Sequence, residues 1–491
     1  MFSLKGYPLV VMALLNKQSV SRLVRKIGNE ANDIINRSLD KHVSLAVTGL
    51  SQSGKTAFIT SLVNQLINEG HGQPLTFFDT SHQGRFIGAK RIAQKNLHIP
   101  RFDYDGGMQR LTAHPPTWPE PTSNISELRL AIRYYANDSL LNFGRDMRTL
   151  YLDITDYPGE WLLDLPMLEQ SYQQWSEHIT ELLQSEPRKS LSEAFLQRVA
   201  ELDPFAPVDE NLLADLAEQY TELLHQFRYQ QGLSVIQPGR FILPGEHKGA
   251  PVLQFIPFPF FATLDLSKYK NADEHTMIGM LHARYRRYRD DIVGDFYKNH
   301  FARFDRQIIL ADCLTPLNNG HHAFTDLQYA LSLIMDSFRY GNANILARLF
   351  SPKIDRLLFA ANKADHVTSD QHQQLVELLE RLVVKAKKQL TYDAIKMKSL
   401  AIASIKATEQ GKTEYQGKQL QVVKGQRLDN GEKITLFPGS VPERPPNKQL
   451  WPEQGFNFVS FAPPNDLHED ISLPHIRLDH VLQFLLGDKL R

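Results

Sequence analysis

Between an apolar run, His42 to Thr48 (HVSLAVT), and a helical pattern, Ala57 to Asn68, the chain carries Gly49-Leu50-Ser51-Gln52-Ser53-Gly54-Lys55-Thr56. This segment fits G-x-x-x-x-G-K-[ST], a motif that demands a strand before it and a helix after it, and both are present. The glycines let the backbone curl so that its N–H groups face phosphate oxygens, and the helix that follows brings its positive end to the same place. Lys55 then reaches the β and γ phosphates of a nucleotide, and the Thr56 hydroxyl suits Mg²⁺. Phosphate binding is therefore expected of Gly49, Ser51, Gln52, Ser53, Gly54, Lys55, Thr56 and Ala57.

The rest of the chain supplies a sheet for this loop. Buried-strand patterns return at Gln307 to Cys313 (QIILADC), Arg356 to Ala361 (RLLFAA) and Met397 to Ala403 (MKSLAIA), with helical stretches at Ala323 to Phe338 and Ser369 to Leu390 between them. Such alternation predicts a parallel α/β sheet with crossover helices. Glu127 to Tyr135 and Thr149 to Thr155 read as a neighbouring antiparallel pair joined by polar residues that include Asn137, Asp138 and Gly144. Phe86 to Ser123 is rich in Gly, Pro and His and is expected to be largely loop.

Helical patterns such as Ser190 to Leu202 and Glu210 to Phe227 dominate Trp161 to His300, interrupted by a strand-like piece from Phe241 to Phe261. Short antiparallel strands follow in Glu414 to Phe437, around Asp429-Asn430-Gly431, and Pro474 to Leu490 reads as a closing helix. A chain of 491 residues exceeds what one hydrophobic core usually serves. The expected division is an N-terminal segment with an amphipathic helix from Val20 to Leu39 (1–40), the first part of a P-loop core with its switch loops (41–160), an inserted helical subdomain (161–300), and the second part of the core with C-terminal strands and helix (301–491).

Composition removes several functions. Lys plus Arg equals Asp plus Glu, 55 against 55, so no overall field favours nucleic acid, and any bound anion must be held locally. Cys313 is the only cysteine, which excludes an intrachain disulfide and a Cys-rich zinc site and suits a reducing cytosol. Tyr7 to Leu15 is too short to span a bilayer and no A-x-A cleavage site follows it. It reads as a strand or apolar tail, with peripheral membrane contact as the alternative. His321-His322 lacks an H-E-x-x-H setting and reads as a loop or helix entry. Trp161 to Leu168 reads as core packing.

Two further motifs narrow the ligand. Asp156-Tyr157-Pro158-Gly159 ends an apolar strand and fits D-x-x-G, in which the aspartate approaches Mg²⁺ and the glycine N–H senses a γ phosphate. Asp153 on the same strand competes for the first role, but only Asp156 has the downstream glycine. Asn362-Lys363-Ala364-Asp365 follows the strand Arg356 to Ala361 and fits N-K-x-D. A carboxylate at Asp365 can accept hydrogen bonds from N1–H and the 2-amino group of guanine, whereas adenine would leave it desolvated and unpaired. The same four residues also suit a polar helix-entry turn. After the next strand, Ser404-Ile405-Lys406 is similar to the S-A-K loop that packs behind guanine, with a plain turn as the alternative.

In this order the four motifs resemble those of the regulatory P-loop GTPases. More closely, the blocks GLSQSGKTAF, WPEPTSNISELRLAIRY, LDITDYPGEWLLDLPML and FAANKAD resemble the YcjX-like family of bacterial stress-associated GTPases. The resemblance implies a Ras-like core with a helical insertion, GTP or GDP with Mg²⁺ as ligands, a cytoplasmic or membrane-peripheral location, an unknown protein effector and a link to the stress response. A threonine that closes over Mg²⁺ and the γ phosphate is expected just before the second strand. Thr122 has the best topology, and Thr117 and Thr112 lie further back.

Glu160 stands where the Ras pattern has glutamine. An ionised carboxylate only accepts hydrogen bonds and adds negative charge beside phosphates, so turnover is expected to be slow, with Glu160 either positioning water or facing solvent. Arg85, Arg101 and Arg110 are candidates for an internal arginine finger, or are simply solvated. The expected catalytic group is thus Lys55, Gly159, Glu160 and Thr122. Metal binding falls to Thr56, Asp156 and Thr122, and base binding to Asn362, Lys363, Asp365, Ser404, Ile405 and Lys406. A GTP-binding scaffold with negligible turnover and a small-molecule kinase are the alternatives, and N-K-x-D counts against the kinase.

Overall fold

The computed structural model describes residues 41–50, 52–137, 146–338, 354–392, 395–452 and 455–491. The N-terminal segment 1–40, with its expected helix and apolar run, lies outside the described residues, as do Ser51, Asp138 and Gly144.

Among the described residues seven strands form the central sheet, in the order β2-β3-β4-β1-β5-β6-β7. They are β1 (Lys41–Gly49), β2 (Phe86–Ile92), β3 (Ser126–Tyr135), β4 (Met147–Asp156), β5 (Arg306–Ala311), β6 (Arg356–Ala361) and β7 (Lys396–Ala401). The five strands from β4 to β7 run parallel, and β3 runs against both of its neighbours. Both faces are buried, as a mostly parallel sheet requires. Along β5, Ile308 and Leu310 join one hydrophobic cluster while Ile309 and Ala311 join the other, the two-residue period of a strand covered on each side. This is a Ras-like P-loop core, and its sheet explains why QIILADC and RLLFAA read as continuous apolar runs.

Helices α1 (Lys55–Ile67) and α2 (Tyr104–Thr112) follow the first strands. Phe86 to Ser123 is loop only in part, because β2 and α2 lie within it. β2 is an edge strand with a register shift between Phe86 and Gly88 and little burial, so its alternation is blurred. In α2 the pair Gly106-Gly107 imitates a turn. Asp103 caps the helix by accepting from the Gly106 amide, and Tyr104, Met108 and Leu111 are buried in the cluster that also holds Phe58 and Leu62 of α1.

Between β4 and β5 the chain is helical: a 3₁₀ run Gly159–Glu169, then α3 (Tyr172–Leu183), α4 (Arg188–Ala200), α5 (Glu210–His225) and α6 (Met277–Arg287). Phe241 to Phe261 contains no strand. It forms a short helix, Gly239–Ile242, and two 3₁₀ turns, Gly245–His247 and Pro251–Leu253. Prolines at 238, 244, 251, 257 and 259 remove ladder donors. The apolar residues instead bury against helices, with the Phe255 ring 5.3 Å from Trp175 and 5.8 Å from Tyr285. This inserted chain shares one continuous cluster with Ala46, Ile309 and Phe359 of the sheet.

Helix α7 (His321–Ser337) starts at the histidine pair, whose first ring packs edge-on to Trp451 at 5.7 Å. Helix α8 (His372–Tyr392) crosses between β6 and β7. Then β8 (Thr408–Tyr415), β9 (Lys418–Gln426) and β10 (Lys433–Leu436) make an antiparallel sheet, and α9 (Leu478–Leu486) closes the chain against the main sheet. Among the described residues no helix is long and apolar enough to cross a membrane.

Candidate functional site

Ligands of open α/β sheets bind outside the carboxyl ends of the strands. There β1, β4, β5, β6 and β7 deliver Gly49, Asp156, Asp312, Asn362 and Ser404 to one rim. A cavity of about 420 Å³ opens on this rim, within the range of small-ligand sites.

At one end the P-loop turns through left-handed residues, Gln52 at φ 61° and Gly54 at φ 77°. The second must be glycine, because a Cβ there would also lie 2.7 Å from Asn362 Nδ2. α1 begins at once with Lys55, and its first residues Lys55, Thr56 and Ala57, whose amides have no partner within the helix, line the cavity. Lys55 Nζ lies 2.9 Å from Asp156 Oδ1, with both side chains buried. Thr122 Oγ1 donates to Asp156 Oδ2 at 2.5 Å and lies 3.4 Å from Thr56 Oγ1, which itself donates to the Glu120 carbonyl at 2.8 Å. Two hydroxyls and a carboxylate thus converge, a hard-oxygen set that fits Mg²⁺.

The other threonines stand apart. Thr112 Oγ1 bonds to the Met108 carbonyl within α2, and the Thr117 amide bonds to the Arg110 carbonyl. Asp153 pairs with Arg129 at 3.3 Å.

At the opposite end Asn362 straps three loops together. Its Nδ2 donates to the Ser53 carbonyl at 2.8 Å, while its Oδ1 accepts from the Ser404 amide at 3.1 Å and hydroxyl at 3.0 Å. Lys363 adopts φ 63° and its Nζ lies 2.5 Å from Asp312 Oδ2. Burial pushes the Asp312 carboxyl up, but the Lys363 ammonium and the Thr315 hydroxyl outweigh it and hold the group below the ordinary carboxylate range. Asp365 is 1 % exposed, and its Oδ2 accepts from the Ala407 amide at 2.7 Å. Ile405 lines the cavity; Lys406 is not among the lining residues, and its amide bonds to the Pro474 carbonyl.

Glu160 does not face solvent. It is buried, lines the cavity, and its Oε1 lies 2.9 Å from Arg228 Nη2. Arg228 also lines the cavity and comes from the π-helical turn Gln226–Gln230 that ends α5. Arg85 bonds instead to the Tyr135 and Leu490 carbonyls, and Arg110 pairs with Glu120. Arg101 bridges to Glu127 through its backbone. None of these three lines the cavity.

The segment after Asp156 is wedged between main chains. A Cβ on Gly159 would overlap the Gly49 carbonyl, and a Cβ on Gly239 would overlap the Glu160 carbonyl. Five residues beyond Gly159, Asp164 accepts from the Gly239 amide at 2.9 and 3.0 Å and from the Tyr288 hydroxyl at 2.5 Å. Burial pushes its carboxyl up to about 7, outweighing the Tyr288 and Gly239 hydrogen bonds and the Arg240 charge. Because the folded value lies above the ordinary 3.8, its contribution to stability is full below 3.8 and is lost as pH rises through about 7. The stability margin of the wild type over Asp164→Asn is therefore expected to shrink across that window in denaturant unfolding. A margin that stayed flat or grew with pH would contradict this placement.

Sequence motifs did not mark Arg228, nor the wall made by Trp118, Leu428, Ser460 and Phe461. Trp118 Nε1 donates to the Phe461 carbonyl at 2.9 Å, and Phe461 packs edge-on to His366 at 5.1 Å. Trp118 and the prolines around it, four residues before Thr122, were the only available hint.

A family model described as the YcjX-like family, DUF463, matches residues 43–490. The curated "Ras-like GTPase YcjX" of Escherichia coli (strain K12) is 50 % identical over 468 residues, covering 95 % of this chain and 100 % of that protein. The "Ras-like GTPase YcjX" of Shewanella oneidensis is 47 % identical over 483 residues, covering 95 % and 98 %. With the family model spanning residues 43–490 and both relatives matched along 98 % or more of their lengths, this chain belongs to the YcjX-like family.

Proposed function

We propose that the protein is a Mg²⁺-dependent GTP-binding protein that hydrolyses GTP to GDP slowly and acts as a molecular switch. The observation that carries this reading is the cross-strap of Asn362, which ties Ser53 of the P-loop to Ser404 and holds the phosphate end and the Asp365 end against one cavity. The names of both relatives point the same way.

In this reading Asp365 accepts from guanine N1–H and the 2-amino group, and Ile405 with the Lys363 stem covers the ring. The P-loop amides and Lys55 hold the β and γ phosphates, which exchange the Lys55–Asp156 pair for two new ones. Thr56, Thr122 and Asp156 would hold Mg²⁺, which supplies charge stabilisation on the phosphate oxygens when bound. Gly159 offers its amide to the γ phosphate. Loss of that phosphate then releases the loops around Thr122 and Gly159, which is the switch. The family resemblance adds a stress-related role, a protein effector and a cytoplasmic or membrane-peripheral setting.

The Glu160–Arg228 pair favours one second reading, a scaffold with negligible turnover, because a carboxylate engaged by arginine is poorly placed to orient water. Phosphate release decides between them. Turnover on the order of 10⁻³ per second is expected with Mg²⁺. It should vanish under a chelator, fall about tenfold or more in Thr56→Ala, and survive in Thr56→Ser, which keeps the hydroxyl ligand. Release that ignored the chelator, or was equally fast with ATP, would remove this proposal.

A further inference from the structure

Arg228 reaches the phosphate end of the cavity from the inserted chain. Its partner Glu160 follows Gly159, and Gly159 abuts the Gly49 carbonyl of the P-loop, so the pair sits beside the phosphate loop rather than the Asp365 end. Among the described residues that line the cavity Arg228 is the one arginine, and the lining lysines, Lys55 and Lys363, are engaged with Asp156 and Asp312. The Arg228 side chain is 10 % exposed, its guanidinium carbon lies 5.1 Å from the centre of the Tyr229 ring, and its backbone lies in a π-helical turn, a distortion often found at functional sites. A guanidinium so placed has a planar fork suited to phosphate oxygens.

We infer that Arg228 is an internal arginine finger: a catalytic residue, delivered by the helical insertion, that leaves Glu160 for the γ phosphate of bound GTP and so frees Glu160 to accept from the attacking water. This rests on the GTPase reading above and deepens it. In the step itself the water oxygen bonds to the γ-phosphorus while the bond from that phosphorus to the β,γ-bridging oxygen breaks, its electron pair staying on GDP. One water proton remains on the new P–O–H and the other passes to a γ-phosphate oxygen, giving GDP and dihydrogen phosphate. Negative charge grows on the bridging oxygen as that bond lengthens, and the Arg228 fork answers it. The Glu160–Arg228 pair then has a second meaning. It stores the finger within the cavity, and the exchange of one anionic partner for another makes hydrolysis depend on the geometry of α5 and its terminal turn.

A purely structural arginine predicts a different outcome for Arg228→Lys, because lysine preserves an ion pair with Glu160 but not the fork. For a finger, single-turnover hydrolysis should fall about a hundredfold or more in Arg228→Lys. The variant should still bind Mg-GDP, yet fail to form the complex of GDP with aluminium fluoride, a mimic of the transferring phosphoryl group. The pair Glu160→Gln and Glu160→Gln/Arg228→Gln gives a second comparison, in which the double variant neutralises both members of the buried pair: the single variant should form the aluminium fluoride complex and the double variant should not. Parent-like hydrolysis and parent-like aluminium fluoride binding in Arg228→Lys would overturn the finger and leave the GTPase reading intact. Absence of Lys55-dependent phosphate release in the parent protein would remove both.

Discussion

Replacement of Lys55 by alanine is expected to weaken GTP binding about a thousandfold, or ~4 kcal/mol, and to abolish phosphate release. In the proposed reading Lys55 is the ammonium that meets the phosphates, and its side chain is only 9 % exposed, so its charge is screened little by water. The same substitution has a second effect that the motif alone does not foretell. Asp156 Oδ1 has Lys55 Nζ at 2.9 Å, and without it the buried carboxylate retains, among the described residues, the Thr122 hydroxyl on its other oxygen. Breaking a buried pair on one side costs about 3 kcal/mol, so Lys55→Ala should also unfold at lower denaturant. Calorimetric titration with GTP and denaturant unfolding separate the two effects. Affinity kept in the variant would show that Lys55 serves Asp156 rather than a nucleotide.

The second large effect concerns the base. Asp365→Asn is expected to lower the preference for GTP over XTP about a thousandfold or more. Asp365 Oδ2 already accepts from the Ala407 amide, so asparagine would keep its carbonyl there and turn its NH₂ toward the base. Guanine presents its own 2-amino group at that place, donor against donor in a buried setting, whereas xanthine presents a carbonyl that accepts. The Ala407 contact survives, so the fold should tolerate the change. Competition binding with GTP, XTP and ATP reads the result, and a variant that kept its preference for GTP would sink the assignment of guanine to this loop.

Those two residues were legible because each motif encodes its geometry within a few consecutive residues behind a buried strand. Thr122 was legible by order, lying just before β3, and the structure gathers it with Asp156 while Thr112 and Thr117 bond elsewhere. Arg228 was not legible. It meets Glu160 only because the inserted helices return to the sheet, and a pairing between distant positions leaves no local pattern in a single chain. The errors in the fold have the same root. β2 has one neighbour and α2 hides its start behind two glycines, so local signals were weak where tertiary contacts decide. The piece from Phe241 to Phe261 shows the converse: a strong apolar signal whose prolines forbid a ladder and whose rings fill a helical core instead.

The close packing of Gly49, Gly159, Glu160 and Gly239 has a mechanical meaning. Side chains absorb a displacement by changing rotamer, but here the P-loop, the segment after Asp156 and the start of the Gly239–Ile242 helix approach peptide to peptide, with Gly159 and Gly239 bringing no Cβ of their own to the two contacts. A shift of a few tenths of an ångström in the P-loop therefore has little soft material in which to dissipate, and Gly239 serves the inserted helices as a strain gauge coupled to that loop through Glu160 and Gly159.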